Sequence, residues 1–189
     1  NVMRHSRLSP ILLAACTVAA SWCHVSNVHA QCEGTWLLRT PATSPDARNG
    51  PAMAYDSTRK VAVLFGGQLT GNGLDASTFE WVVTNWVQKT PATSPSARVF
   101  HAMAFDSKRG VTVLFGGGTG DSSVASNETW EWDGINWSLK TPAVSPLPRG
   151  FHAMTFDAAR GVTVLFGGAD SGNLVPNETW EWDGTNWNN

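Results

Sequence analysis

The run Val111-Thr-Val-Leu-Phe-Gly-Gly117, followed by Thr129-Trp-Glu-Trp-Asp-Gly134 and Asn136-Trp137, decides how this chain folds. Val111–Phe115 is β-branched or apolar almost throughout, the composition of a strand covered on both faces. Thr129–Asp133 alternates, so Trp130 and Trp132 share one side and Glu131 takes the other. Asp133-Gly134 is a hairpin signal, and Asn136-Trp-Ser-Leu-Lys140 returns with Trp137 and Leu139 inward. Upstream, His101-Ala-Met-Ala-Phe-Asp106 also alternates, placing His101, Met103 and Phe105 together. Asp106-Ser-Lys-Arg-Gly110 joins it to Val111 through a short loop whose glycine can take positive φ. The unit is predicted as a four-stranded antiparallel meander. No stretch beyond the N-terminal 30 residues has a helical period.

The same unit occurs three times, with a period of about 50 residues that marks a repeat architecture. Phe-Gly-Gly recurs at Phe65, Phe115 and Phe166, and Thr-Pro at Thr40, Thr90 and Thr141. Tryptophan recurs at Trp36, Trp86, Trp137 and Trp187, and again at Trp81, Trp132 and Trp182. Unit one diverges: Pro51 replaces the histidine, Tyr55 a phenylalanine and Lys60 the hairpin glycine, while Phe79 and Val82 interrupt the Trp-Glu-Trp-Asp strand. A left-handed Lys60 would cost about 1–2 kcal/mol relative to glycine.

A strand ending in Gly-Gly, a variable loop, an aromatic strand and a further tryptophan resemble the kelch repeat. Here these are Leu114-Phe115-Gly116-Gly117, then Trp130-Glu131-Trp132-Asp133-Gly134, then Trp137. The resemblance implies an all-β fold of three four-stranded kelch-type β-propeller blades, of the kind in the galactose-oxidase central domain. The blades are expected at 41–90 (divergent), 91–141 and 142–189, the last with a truncated outer strand. Residues 31–40 would be the outer strand of a preceding or closing blade. Propellers have about four to eight blades, so three are expected to form an incomplete ring. The sequence opens on Asn1, not Met, and a truncated reading frame is the leading expectation; self-association of two chains into a six-bladed ring is the second. In either case tryptophans fill the space between sheets.

Residues 1–30 read as a secretory signal peptide: Arg4 and Arg7, an apolar run from Leu8 to Ala20, then Val28-His29-Ala30 before the cleavage point. The alternative is a lipobox, Leu13-Ala14-Ala15-Cys16, leaving a lipoprotein anchored through Cys16. Cleavage after Ala30 takes the formal charge from −2 to −4 and leaves Cys32 as the sole cysteine, so no intramolecular disulfide is available. The expected location is extracellular or periplasmic. With 15% charged residues, no basic cluster and a pI near 6.2, the composition argues against a nucleic-acid partner, and no segment suits a membrane span.

Strand parity places the Gly-Gly loops (68–77, 118–126, 169–176) and the Thr-Pro linkers on one face, the variable surface on which binding residues concentrate. Arg48, Arg98, His101, Arg149 and His152 lie where the linker enters the first strand, and Asp121 and Asp170 lie in the loops. Two readings stand. The arginines hold an anionic or polyhydroxy ligand, or, because they recur with the unit, arginine and histidine satisfy carbonyls of the linker. Glu128, Glu131 and Asp133 return as Glu178, Glu181 and Asp183, a repeat pattern and not an acid–base pair. Symmetry-breaking polar residues are few: Tyr55, Asp75, Asp121, Asp170 and Cys32. No catalytic residue, metal or cofactor is assigned. The copper-radical chemistry of galactose oxidase needs two tyrosines, and Tyr55 is the only one. The expected function is a secreted or envelope module binding a protein or glycan; the alternative is a fragment of a sugar-processing propeller whose active residues lie elsewhere.

Overall fold

A computed structural model describes residues 36–189 apart from 72, 121–123, 171 and 173. The expected signal peptide, Cys16, Cys32 and Asp121 lie outside the described residues. Among the described residues there are seventeen strands, all antiparallel where paired, and no helix. No helix there is long and apolar enough to cross a membrane.

Three sheets of four strands dominate, each a meander in chain order. The first comprises Ala52–Asp56, Val61–Phe65, Thr78–Val82 and Asn85–Lys89. The second comprises Ala102–Asp106, Val111–Phe115, Thr129–Trp132 and Trp137–Lys140. The third comprises Ala153–Asp157, Val162–Phe166, Thr179–Trp182 and Trp187–Asn188. Residues 36–40 form no strand, so the outer strand expected at 31–40 is absent over its described part. The third sheet has its own fourth strand, of two residues where the second has four.

Register explains which side chains meet. In the second sheet Leu114 lies opposite Met103 on one side and Trp130 on the other, and Trp132 opposite Thr112 and Trp137, so these share one face. Val113 and Glu131 share the other with Phe115 and Thr129. The first face packs on Val61, Val63 and Phe65 of the first sheet; the second packs on Leu165, Trp182 and Trp187 of the third. Trp132, Trp137, Trp182 and Trp187 are buried between sheets. Leu139 departs from its expected inward position and is exposed, because the fourth strand is the outer edge of its sheet. First strands of neighbouring sheets lie side by side at the opposite edge.

The Thr-Pro segments begin beside the loops, where Ser94 Oγ donates to the Ala76 carbonyl at 3.4 Å. They then reach the outer strand of the following sheet: the Ala92 amide donates to Asn136 Oδ1 (2.7 Å) and the Trp137 amide to the Thr93 carbonyl (3.3 Å). Ala42-Thr43 and Ala143-Val144 do the same for the first and third sheets. Covering an edge strand with a proline-containing segment blunts unwanted strand pairing.

Each tight turn after the first strand is fixed by one aspartate. Asp106 Oδ1 accepts the amides of Lys108 (3.0 Å) and Arg109 (2.9 Å), and its Oδ2 accepts Arg109 Nε (2.7 Å). Arg109 reaches on to Glu131 in the third strand, locking the turn to the sheet. Asp56–Arg59–Glu80 and Asp157–Arg160–Glu181 repeat the arrangement.

Candidate binding surface

The arginines of the linker are held from below by their own units. Arg98 and Arg149 are completely buried. Arg98 Nη1 donates to the Gly116 carbonyl (3.0 Å), Nε to the Ser96 carbonyl (3.0 Å), and Nη2 to Ser96 Oγ (3.0 Å) and to Glu128. Arg149 makes the matching contacts to Gly167 (3.2 Å), Leu147 (3.1 Å) and Glu178 (2.7 Å). Burial pulls the Arg98 guanidinium below its ordinary pKa, with Glu128 opposing the shift. Burial on its own would raise Glu128, but bonds from Arg98 and Trp130 hold it below the ordinary carboxylate range. Glu178 is lowered likewise, by Trp180 first and then Arg149.

Unit one reaches the same end with different residues. Ser77 stands at the position of Glu128, and Arg48 turns instead to Asp75 (2.5 Å) while keeping its bond to the Gly66 carbonyl (3.0 Å). Asp75 breaks the symmetry in sequence yet restores it in space. In sequence the exchange leaves only the trace that the acid at the Glu128 position is missing and Asp75 appears two residues upstream.

His101 and His152 are buried in edge-to-face contact with Phe65 (5.6 Å) and Phe115 (5.5 Å) of the preceding sheet. Burial, then the charge of Arg98, then that of His152 lowers His101 to about 3. Burial and then Arg149 lower His152 to about 4. Both are therefore neutral imidazoles packed as rings.

The Gly-Gly pairs are what let the histidines and linkers come so close. A Cβ on Gly116 would sit 2.5 Å from the Arg149 carbonyl and 3.1 Å from the His152 ring; one on Gly117 would sit 2.7 Å from His101 Cβ. Both residues also have positive φ, 68° and 92°, where L side chains are strained. The second glycine then donates across the seam, Gly67 to the Arg98 carbonyl (2.8 Å) and Gly117 to that of Arg149 (2.9 Å).

Phe100 and Phe151 were not singled out by the sequence reading. They hold φ of 62° and 61°, matching the 60° of Gly50 in unit one. Such a backbone costs a phenylalanine about 1–2 kcal/mol, and strain of this kind gathers at functional positions. The three residues form a backbone chain from sheet to sheet: Phe100 N–H donates to the Gly50 carbonyl (3.0 Å) and Phe151 N–H to that of Phe100 (2.9 Å). The two rings stack at 4.1 Å, and Phe151 is 67% exposed. Their signal in sequence is Phe-His at the head of the first strand in units two and three, against Gly-Pro in unit one.

Asp170 folds its own loop, accepting the amides of Gly172 (2.8 Å) and Leu174 (2.9 Å). The structure thus gathers Arg48, Arg98, Arg149, His101 and His152 around the inner ends of the Gly-Gly loops, with Asp170 out in its loop. Among the described residues no three His, Cys, Asp or Glu side chains converge as a metal would require.

No family model matches this sequence, and no curated protein matches it. Among solved structures 125 chains match, so the arrangement of sheets recurs in other proteins. One, described as the structure of YjhT, superposes with a TM-score of 0.58 at 14% identity, over 73% of this chain and 43% of that one. The chain spans less than half the length of that structure.

Proposed function

We propose that the three sheets are consecutive kelch-type blades of a β-propeller, and that the protein is a secreted binding module whose ligand sits on the Gly-Gly face beside Phe100 and Phe151. The observation that carries this is the strained, stacked phenylalanine pair, one ring open to solvent, set amid loops that differ from unit to unit. The recurring charges beneath it are occupied in holding the linkers, which leaves recognition to the loops and the ring. A flat exposed ring, in a chain whose Gly-Gly loops are rich in Gly, Ser, Asn and Asp, suits a ligand with an apolar face and hydroxyl rim, and a glycan is the simplest such class. The meander of each sheet, the adjacency of first strands and the face-to-face packing support the propeller reading, and the signal-like N-terminus supports export.

Glycan and protein arrays probed with the purified chain test the module. Binding to a glycan that weakens at least about tenfold in Phe151→Ala, an effect of about 1.4 kcal/mol, supports the reading. A ligand whose affinity is indifferent to Phe151→Ala and to changes in loops 118–126 and 169–176 overturns it. Capture of a protein and no glycan would keep the surface and replace the ligand class.

A further inference from the structure

We infer that unit one carries a second binding site, a polar pocket between the first sheet and the linker that follows it, and that this pocket takes one uncharged sugar residue. Neither Phe100 nor Phe151 lines it, so it is separate from the site proposed above and does not depend on it.

The pocket has a volume of about 300 Å³ and is lined by Asp75, Ser77, Gln88, Lys89, Pro91 and Ser94. That is the lower end of the range for small-molecule sites, about 300–1,000 Å³. Thr78 pairs with Lys89 in the first sheet and Thr129 with Lys140 in the second, which fixes the equivalence of the two units here. By that register Asn127, Glu128 and Leu139 of unit two are replaced by Ala76, Ser77 and Gln88. The backbone frame is the same in both: Ser94 Oγ donates to the Ala76 carbonyl at 3.4 Å, and Ser145 Oγ to the Asn127 carbonyl at 3.4 Å. Two side chains are therefore shorter inside one frame, and a leucine has become an amide. A ligand needs groups that blade packing does not, so its site is expected where the repeat is broken.

This edge stays open between neighbours. In unit two, which has a sheet packed on either face, Leu139 at the position of Gln88 is still 48% exposed.

Charge selects the class of ligand. Arg48 neutralises Asp75 at 2.5 Å, and Lys89 Nζ lies 3.5 Å from Glu80, which Arg59 also holds. An ionic ligand finds no uncompensated partner among them. Hydrogen-bonding capacity remains. Asp75 Oδ1 accepts the Ser77 amide (3.2 Å) and hydroxyl (2.9 Å), and Gln88 Nε2 lies 3.5 Å from Ser77 Oγ. The Gln88 amide keeps a second N–H and its carbonyl, and the Lys89 ammonium has three N–H groups to share. Donors and acceptors set side by side, with Pro91 as a small apolar wall, match the hydroxyls and C–H face of a sugar ring.

Saturation-transfer NMR of the purified chain with a panel of neutral monosaccharides tests the inference, run in a Phe151→Ala background so that the other site is silent. At least one sugar should bind, and its affinity should fall at least about tenfold in Gln88→Leu and in Ser77→Glu, as expected for lost hydrogen-bond partners. Each substitution installs the residue that unit two carries in the same frame, and Gln88 is exposed, so urea unfolding should match the parent. Gln88→Leu decides alone if Ser77→Glu shifts that midpoint. A uronic acid should bind no better than its neutral counterpart. Absence of binding by every neutral sugar, equal binding by the parent and Gln88→Leu, or preference for the charged sugar overturns the inference.

Discussion

The second sheet and the two outer sheets are built from nearly the same residues and live in different surroundings. Val113, Leu114 and Phe115 have no exposed surface, with sheets on either side. In the third sheet Leu165 is buried on the inner side while Phe166 is half exposed on the outer. In the first, Phe65 is buried inward while Met53 and Tyr55 are exposed outward. The same motif is therefore core or surface according to whether a neighbouring sheet covers it. A repeat whose stability is largely its contact with neighbours behaves in this way.

Substitutions at equivalent positions can break or sharpen that comparison. The largest effect is expected from Trp132→Ala, which empties a buried site and removes the indole bond to Glu80. It should cost about 3–5 kcal/mol by urea unfolding, and Trp81→Ala at the open face a small part of that.

Gly116→Ala and Gly167→Ala come next. Both residues have φ of 68°, so the local strain, about 1–2 kcal/mol, is common to the pair. Only at Gly116 does the added methyl meet the Arg149 carbonyl. Gly116→Ala should lose clearly more stability in thermal unfolding, and the difference isolates the contact between sheets.

The pH dependence follows in size. His101 and His152 titrate at about 3 and about 4 in the fold, against 6.5 when unfolded. As pH falls below 6.5 the unfolded chain takes up protons that the fold does not, so stability falls with pH in that window. The carboxylates held low, Glu128, Glu178, Asp157 and Asp183, add their loss only below their ordinary range near 4. His101→Gln with His152→Gln should flatten the stability curve between about pH 6.5 and 4.5 and leave its acid limb.

The smallest effect is a gain. Lys60 has φ of 60° where Gly110 has 72° and Gly161 has 71°. Lys60→Gly should raise unfolding stability by about 1 kcal/mol.

Much of this architecture was legible in the chain itself. Period-two alternation placed the strands, Asp133-Gly134 placed a hairpin, and repetition of Phe-Gly-Gly placed three units in phase. Lys60 was the position to suspect for a left-handed residue, and it has that conformation. The less legible features are set by contacts between units. The Gly-Gly spacing makes sense only once the next linker is seen to press against it. The two-residue pairing of Arg98–Val99 with Gly118–Thr119 is too short to leave a periodic trace. The positive φ of Phe100 and Phe151 follows from the backbone chain joining one sheet to the next, which no local propensity encodes. Arginine and histidine were readable as recurring residues, but the rings that His101 and His152 pack against, Phe65 and Phe115 of the preceding sheet, depend on the fold.

The central claim is that sheets are joined by tryptophans donating to acceptors on the neighbouring sheet. Trp132→Phe and Trp81→Phe, each measured by urea unfolding, test it most directly. Trp132→Phe keeps a ring and removes the donor to Glu80, so a loss of about 1–2 kcal/mol is expected, with a change within about 0.5 kcal/mol for Trp81→Phe. Equal losses at the two positions would contradict the account.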